Sequence, residues 1–203
     1  MTIDNFSYAS DEQLMALIKE DNKPAFTEIM DRHKNHVINF AYRMLMDKDL
    51  AEDIAQDIFV KIFNFANKYK GGKFTTFLFT LTNNACIDLI RKKKTEQSAL
   101  SKKINLGHFN AAPDLHSETN DNPTVEKIIK SELSIHVQHA ISTLDEKYRQ
   151  VIIMYEYHDL QVTEIAEVMG HPADTIKSWL RRARLQLKDK LTPFLKDMQE
   201  EFA

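Results

Sequence analysis

From Phe26 to Leu45 the largely apolar set Phe26, Ile29, Met30, His33, Val37, Phe40, Ala41, Met44 and Leu45 recurs at spacings of three and four. That interval puts them on one face of an α-helix, and it constrains the chain more than any single motif. The pattern repeats on both sides. Ser10-Asp11-Glu12-Gln13 reads as a capping box opening a short helix with Leu14, Leu17 and Ile18 inward, and Pro24 suits the first turn of the helix that follows. A third helix is expected from about Leu50 to Asn67 with Ile54, Ile58, Phe59, Ile62 and Phe63 inward. After the Gly71-Gly72 break comes a fourth, with Phe74, Leu78, Leu81, Ala85 and Leu89 as its stripe and Arg91 to Lys94 at its end. Periodicity then lapses from Thr95 to Pro123, where Ser, Asn, Asp, Gly and Pro accumulate. It resumes with Leu133, Val137, Ala140 and Leu144, and again with Tyr148, Val151, Ile152 and Tyr155, before two closing helices. Only four Gly and five Pro leave little material for a turn-rich β fold. The expectation is an all-α chain of two small helical domains, 1–94 and 124–203, joined by a flexible linker at 95–123.

Charge is segregated along this frame. Residues 1–60 carry 6 basic and 12 acidic groups, residues 61–94 carry 8 basic and 1 acidic, and residues 174–190 carry 6 basic and 2 acidic. A net charge of -3 with two basic islands suits a protein that touches nucleic acid at two defined places better than a general polyanion binder. No window reaches the ~18 to 20 apolar residues of a membrane span. The N-terminal residues have no basic-then-apolar leader, so a cytoplasmic protein without membrane insertion of its own is expected. The single cysteine, Cys86, has no partner for an internal disulfide and no zinc-ligand spacing around it, and it reads as a small core residue.

The second island lies in a helix-turn-helix pattern between Thr163 and Arg184. Ala166 is small where two helices cross, Gly170 can take the positive φ of a tight turn, and Ile176 and Leu180 hold the second helix on the first. The second helix then offers Thr175, Lys177, Ser178, Arg181, Arg182, Arg184 and Lys188 to base edges and phosphates in a major groove. A basic run can also be a solvated helix face; the Ala, Gly and Ile spacing argues for DNA. Trp179 can pack over the turn or lie against sugar-phosphate, and Asp174 near the helix start suits the helix dipole.

Asp49, Asp53 and Asp57, spaced by four, put like charges on one helical face, with Glu52 and Gln56 at its border. Ile54, Ile58 and Ile62 occupy the opposite face, so the helix can pack its core and still offer an acidic strip to a basic partner or simply to water. The next stretch mixes Phe65, Tyr69, Lys70, Lys73, Phe74, Phe77 and Phe79 with Arg91 to Lys94. Most of these aromatics suit the core, yet aromatics for stacking and cations for phosphate are also what holds a single strand. Thr76, Thr80, Asn84, Asp88 and Arg91 form a separate polar stripe.

With these residues in place the chain resembles the extracytoplasmic-function group of sigma-70 factors. The run Ala51-Glu-Asp-Ile-Ala-Gln-Asp-Ile-Phe-Val-Lys-Ile-Phe63, the run Phe74-Thr-Thr-Phe-Leu-Phe-Thr-Leu-Thr-Asn-Asn-Ala-Cys-Ile-Asp-Leu-Ile-Arg91 and the helix-turn-helix look like regions two and four of that family, in order. The resemblance covers about Phe26 to Lys94 and Leu133 to Leu191. It implies a non-catalytic initiation factor without a cofactor, whose partners are core RNA polymerase, promoter DNA and an anti-sigma factor. The helix bearing Asp49, Glu52, Asp53, Gln56 and Asp57 would dock on the clamp helices of the largest polymerase subunit. Tyr69, Lys70, Lys73, Thr76, Phe77, Asn84, Asp88, Arg91 and Lys92 would meet the minus-ten element, its non-template strand captured with a base flipped out. Thr175, Lys177, Ser178, Arg181, Arg182 and Arg184 would read the minus-thirty-five element as duplex. Three positions depart from the family pattern: Phe77 stands where Trp is common, His171-Pro172 replaces an apolar-Ser pair, and Trp179 sits where a polar residue is usual. No further C-terminal domain is expected.

Three other readings compete with this one. An enzyme finds no phosphate-binding Gly loop, nucleophile elbow or zincin pair. His33 with His36, and His136 with His139, have helical spacing that could hold a metal, but no carboxylate or Cys in register. A free-standing helix-turn-helix regulator leaves the acidic row and the aromatic-basic helix without a role, and a helical adaptor would make no DNA contact in the assembled polymerase complex.

Overall fold

A computed structural model describes residues 6–101 and 125–201 of the chain. Among the described residues eight α-helices make up the frame: α1 Asp11–Ile18, α2 Lys23–Leu45, α3 Lys48–Asn64, α4 Phe74–Ser101, α5 Val125–Ser142, α6 Glu146–Tyr157, α7 Val162–Met169 and α8 Ala173–Glu201. Among the described residues there is no strand.

Local chemistry sets the boundaries. Ser10 and Gln13 form the capping box of α1, Asn22 caps α2 with Pro24 in its first turn, and Asp47 caps α3. Met46 ends α2 in the left-handed region at φ 57°. Two boundaries differ from the sequence reading. α3 stops at Asn64 and passes through a short 3-10 turn, Ala66–Lys68, rather than running on to Asn67. α4 continues to Ser101, seven residues into the segment assigned to the linker. The run Glu96-Gln97-Ser98-Ala99-Leu100 contains neither Gly nor Pro and is rich in helix formers, so it can prolong a helix without an inward-facing stripe. The remainder of that linker, 102–124, lies outside the described residues.

In the first group of helices, α2 packs along α3, and α1 and α4 close over α2. Leu14, Ile29, Phe40, Met44, Ile58, Ile62, Phe74 and Leu78 are fully buried there. In the second group α6 and α7 pack on α8 through Ile152, Ile153, Ile165, Ile176 and Ala183, and α5 lies against α8. The groups also meet each other. α2 touches α5 and α6, α4 lies along α7, and one continuous apolar core joins both sets.

Polar side chains cross that junction at four points. Arg43 of α2 lies flat on the Tyr157 ring, 3.5 Å from its centroid, and donates to Gln138 Oε1 at 2.5 Å. Arg149 of α6 donates to the carbonyls of Met44 (2.9 Å), Leu144 (3.1 Å) and Ser142. Lys73, just ahead of α4, meets Glu164 of α7 at 2.5 Å. His158, at the end of α6, sits among Phe79 of α4 and His36 and Phe40 of α2, with ring centroids 4.8, 6.0 and 5.7 Å away. None of these four crossings has a local sequence pattern; they arise from residues far apart in the chain.

Candidate nucleic-acid interface

The loop before α4 is built around Tyr69. Gly71 and Gly72 take φ values of 96° and 88°, a region open to glycine, and reverse the chain. Tyr69 tucks under this turn: its hydroxyl donates to the Gly72 carbonyl, its ring lies 5.2 Å from Phe77, and the Tyr69 carbonyl accepts from Lys19 Nζ at 2.7 Å. Only 4% of Tyr69 is exposed, and as packed its ring shapes the loop. Burial, followed by the nearby Glu12 and Asp11 carboxylates, pushes its phenol above the ordinary value. Glu12 holds the start of α4 from outside, its Oε1 accepting the Phe74 N–H at 3.0 Å.

Along α4 the predicted residues divide. Lys70 and Lys73 are exposed at the loop, with Lys73 engaged by Glu164. Thr76 and Phe77 are half-buried, and the Thr76 hydroxyl is enclosed without a hydrogen-bond partner. Asn84, Asp88, Arg91 and Lys92 are exposed in a row at helical spacing. Thr82 and Asn83, which sequence reasoning passes over, are buried in the same helix. The Thr82 hydroxyl donates to the Leu78 carbonyl at 2.9 Å.

On α3 all five residues of the acidic row, Asp49, Glu52, Asp53, Gln56 and Asp57, face solvent, while Ala51, Ile54, Ala55, Ile58, Phe59 and Ile62 are buried behind them. Val60, 56% exposed, lies four residues from Gln56 and three from Asp57. It adds an apolar patch beside the acidic strip that a charge count does not find.

The helix-turn-helix pattern folds as α7, a turn and α8. Gly170 takes φ 66° and the His171 N–H returns to the Ala166 carbonyl at 3.1 Å, closing α7 in a left-handed cap. Ile176 and Leu180 are buried, which seats α8 on α7, and Lys177, Ser178, Arg181, Arg182 and Arg184 are exposed, with Thr175 half-buried. Two of these cations have partners within the protein: Lys177 pairs with Asp174 at 3.0 Å and Arg184 with Glu156 at 2.7 Å. Arg181 and Arg182 extend from the exposed face between them. Trp179 meets the edge of His171 at 4.8 Å, so it packs over the turn.

Each histidine pair has a neighbour that its own helix does not supply. His33 Nε2 lies 2.7 Å from Asp11 Oδ2, a carboxylate that the register within α2 does not reveal because it comes from α1, and His136 stacks on Phe194 at 3.7 Å. Among the described residues no group of three or more His, Cys, Asp or Glu could hold a metal ion, and no helix is long and apolar enough to cross a membrane.

Comparison with known proteins places both groups of helices in one family. Residues 29–96 match Sigma-70 region 2 and residues 135–187 match Sigma-70, region 4. SigW of Bacillus subtilis, an ECF RNA polymerase sigma factor, is 30% identical over 180 residues that span 86% of this chain and 92% of SigW. The chain belongs to the ECF sigma factors. The sigma-70 matches place α3 and α4 in region 2 and α6, α7 and most of α8's basic stretch in region 4. In fold, this ECF sigma factor is similar to CnrH, solved with the cytosolic domain of CnrY, at a TM-score of 0.67 and 20% identity over 90% of this chain and 97% of that one. It is also similar to RpoE of Bartonella quintana, solved with the anti-sigma factor NepR, at a TM-score of 0.64 and 21% identity over 82% and 96% of the two chains. As an ECF sigma factor the protein is a promoter-specific initiation factor of RNA polymerase.

Proposed function

We propose that this sigma factor divides promoter recognition among three surfaces of the described structure, acting in the cytoplasm and performing no covalent chemistry itself. The acidic row of α3 from Asp49 to Asp57, with Val60 at its side, docks on core polymerase. The loop and α4 from Lys70 to Lys92 take up the opened minus-ten strand. The exposed face of α8, with Arg181 and Arg182 at its centre, reads the minus-thirty-five duplex. The chain divides accordingly into a region 2 domain over 1–94 and a region 4 domain over 124–203.

The observation that carries this reading is the separation of charge on solvent-facing helices: an uninterrupted acidic strip on α3, and basic groups on α4 and α8 in different packing environments. A duplex reader alone has no use for the strip or for aromatics beside the α4 cations. An anti-sigma factor as regulator is supported by NepR, bound to the fold relative RpoE.

The test is transcription in vitro with the host's core polymerase on a promoter library. The wild-type chain is expected to select start sites. Asp53→Lys with Asp57→Lys is expected to abolish core binding in a pull-down while leaving the circular dichroism spectrum unchanged; undiminished binding overturns the docking surface. Arg181→Ala with Arg182→Ala is expected to weaken duplex binding and to flatten its dependence on salt, by ~0.9 in logarithmic slope for each phosphate that is no longer neutralised. An unchanged slope means that these two groups do not meet phosphate.

A further inference from the structure

The junction between the two groups of helices contains a group that promoter recognition does not use. His158 is wedged between α2 and α4, where its ring clusters with those of Phe79, Phe40 and His36. Both of its ring nitrogens are buried without a hydrogen-bond partner. A neutral imidazole tolerates such a place as one more aromatic ring, whereas an imidazolium would bring two N–H donors and a positive charge into it with no acceptor. The charged groups around it make protonation harder. α2 presents His36 and, further along, Arg43, whose guanidinium lies on Tyr157, the residue preceding His158. From α4 it meets the Phe79 ring, and Lys73 and Glu164, where α4 and α7 meet, are engaged with each other. His33, beside His36, is held by Asp11.

We propose that His158 is a proton-operated latch between the two halves: neutral, it holds α7 against α4, and protonated, it releases them. Closure has a consequence for DNA. It ties Lys73 to Glu164 and lays α7 along the helix assigned to the minus-ten strand, so the closed form withholds part of that surface. This consequence rests on the assignment of α4 to the strand; the latch itself does not.

The direction follows from linkage. Burial, then the positive potentials of His36 and Arg43, push the imidazole down from 6.5 to about 4 in the closed arrangement. Once the halves part, the ring meets water and returns to its ordinary value. The closed form is therefore fully favoured above about 6.5. It loses ground as pH falls, by about ten-fold in the open-to-closed ratio per pH unit, and the loss levels off below about 4.

The experiment measures the distance between the halves in the full chain. Spin labels on Lys61→Cys and Glu167→Cys, both at positions that reach solvent, report it by pulsed dipolar spectroscopy, and the buried Cys86 stays unlabelled in the folded protein. Wild type is expected to show one short-distance population at pH 7.5 and a longer one that grows at least ten-fold by pH 5.0. His158→Phe, which keeps a ring in the aromatic cluster, and His158→Gln, which cannot be charged, are each expected to abolish the pH response; either variant suffices if the other does not fold. A wild-type distance that ignores pH, or a response that survives in a folded His158 variant, overturns the latch. Binding of a single-stranded minus-ten oligonucleotide by the same samples gives a separate readout. Opening without a gain in strand binding supports the latch and removes the α4 face that it uncovers from strand recognition.

Discussion

Arg149 fastens backbone rather than another charge. Its guanidinium donates to the carbonyls of Met44, at the end of α2, and of Ser142 and Leu144, at and beyond the end of α5. The last carbonyls of a helix lack intrahelical partners and carry the negative end of its dipole, so one planar cation satisfies acceptors from both halves at once. Arg149→Met keeps the aliphatic volume and leaves these acceptors without their donor. Urea denaturation is expected to show a loss of about 2 to 3 kcal/mol, the scale of charge-assisted hydrogen bonds in a partly buried site; a loss below about 0.5 kcal/mol would mean that water replaces the guanidinium freely. Residues of this kind lie beyond what a sequence reading reaches. Ile176, Leu180 and Gly170 are recognisable because a helix-turn-helix encodes its packing within twenty-odd residues. Arg43, Arg149 and His158 act on groups tens of residues away, which spacing cannot register.

At the scale of elements, α4 depends on α1 for its start. Glu12 supplies a carboxylate to the Phe74 N–H across a separation of 62 residues, standing in for a local cap, and Lys19 supplies a donor to the preceding turn. The Phe74 N–H is also the foremost reason why the Glu12 carboxyl titrates below 4.5. Its contribution is therefore present at neutral pH and fades as pH drops below that value. Replacing Glu12 by Ala is expected to cost about 1 kcal/mol in thermal or urea melts at pH 7, as for other helix caps, and less at pH 3; an equal cost at both pH values would assign the effect to something other than the carboxylate. The helices themselves are legible because three-four periodicity reports burial directly, and α1 and α2 start where their capping residues stand. The far end of α4 is not, since the sequence from Thr95 to Ser101 carries helix formers without a three-four apolar stripe to announce them.

For the molecule as a whole, the decisive fact is that the apolar core does not stop at the boundary between the two sets of helices. Two domains on a tether would unfold as two events. A shared core couples them, so calorimetry at pH 7.5 is expected to show one transition whose calorimetric and van't Hoff enthalpies agree. Two resolved transitions would mean that the junction contributes little. The surfaces proposed for polymerase and duplex DNA lie outside this core, on α3 and α8, and their charged groups are readable from the sequence. The junction is not, because each half is amphipathic in a way that also satisfies it as a separate bundle.

The wedge at Phe79 and His158 leaves a liability behind it. Whenever the halves part, an oily strip and a pair of unclaimed ring nitrogens come into view, and loose chains in that condition tend to clump or be cut. A released molecule is therefore safest when a larger host receives it at once, and the time it spends alone and unfastened becomes a measure of how quickly the cell must use it or destroy it.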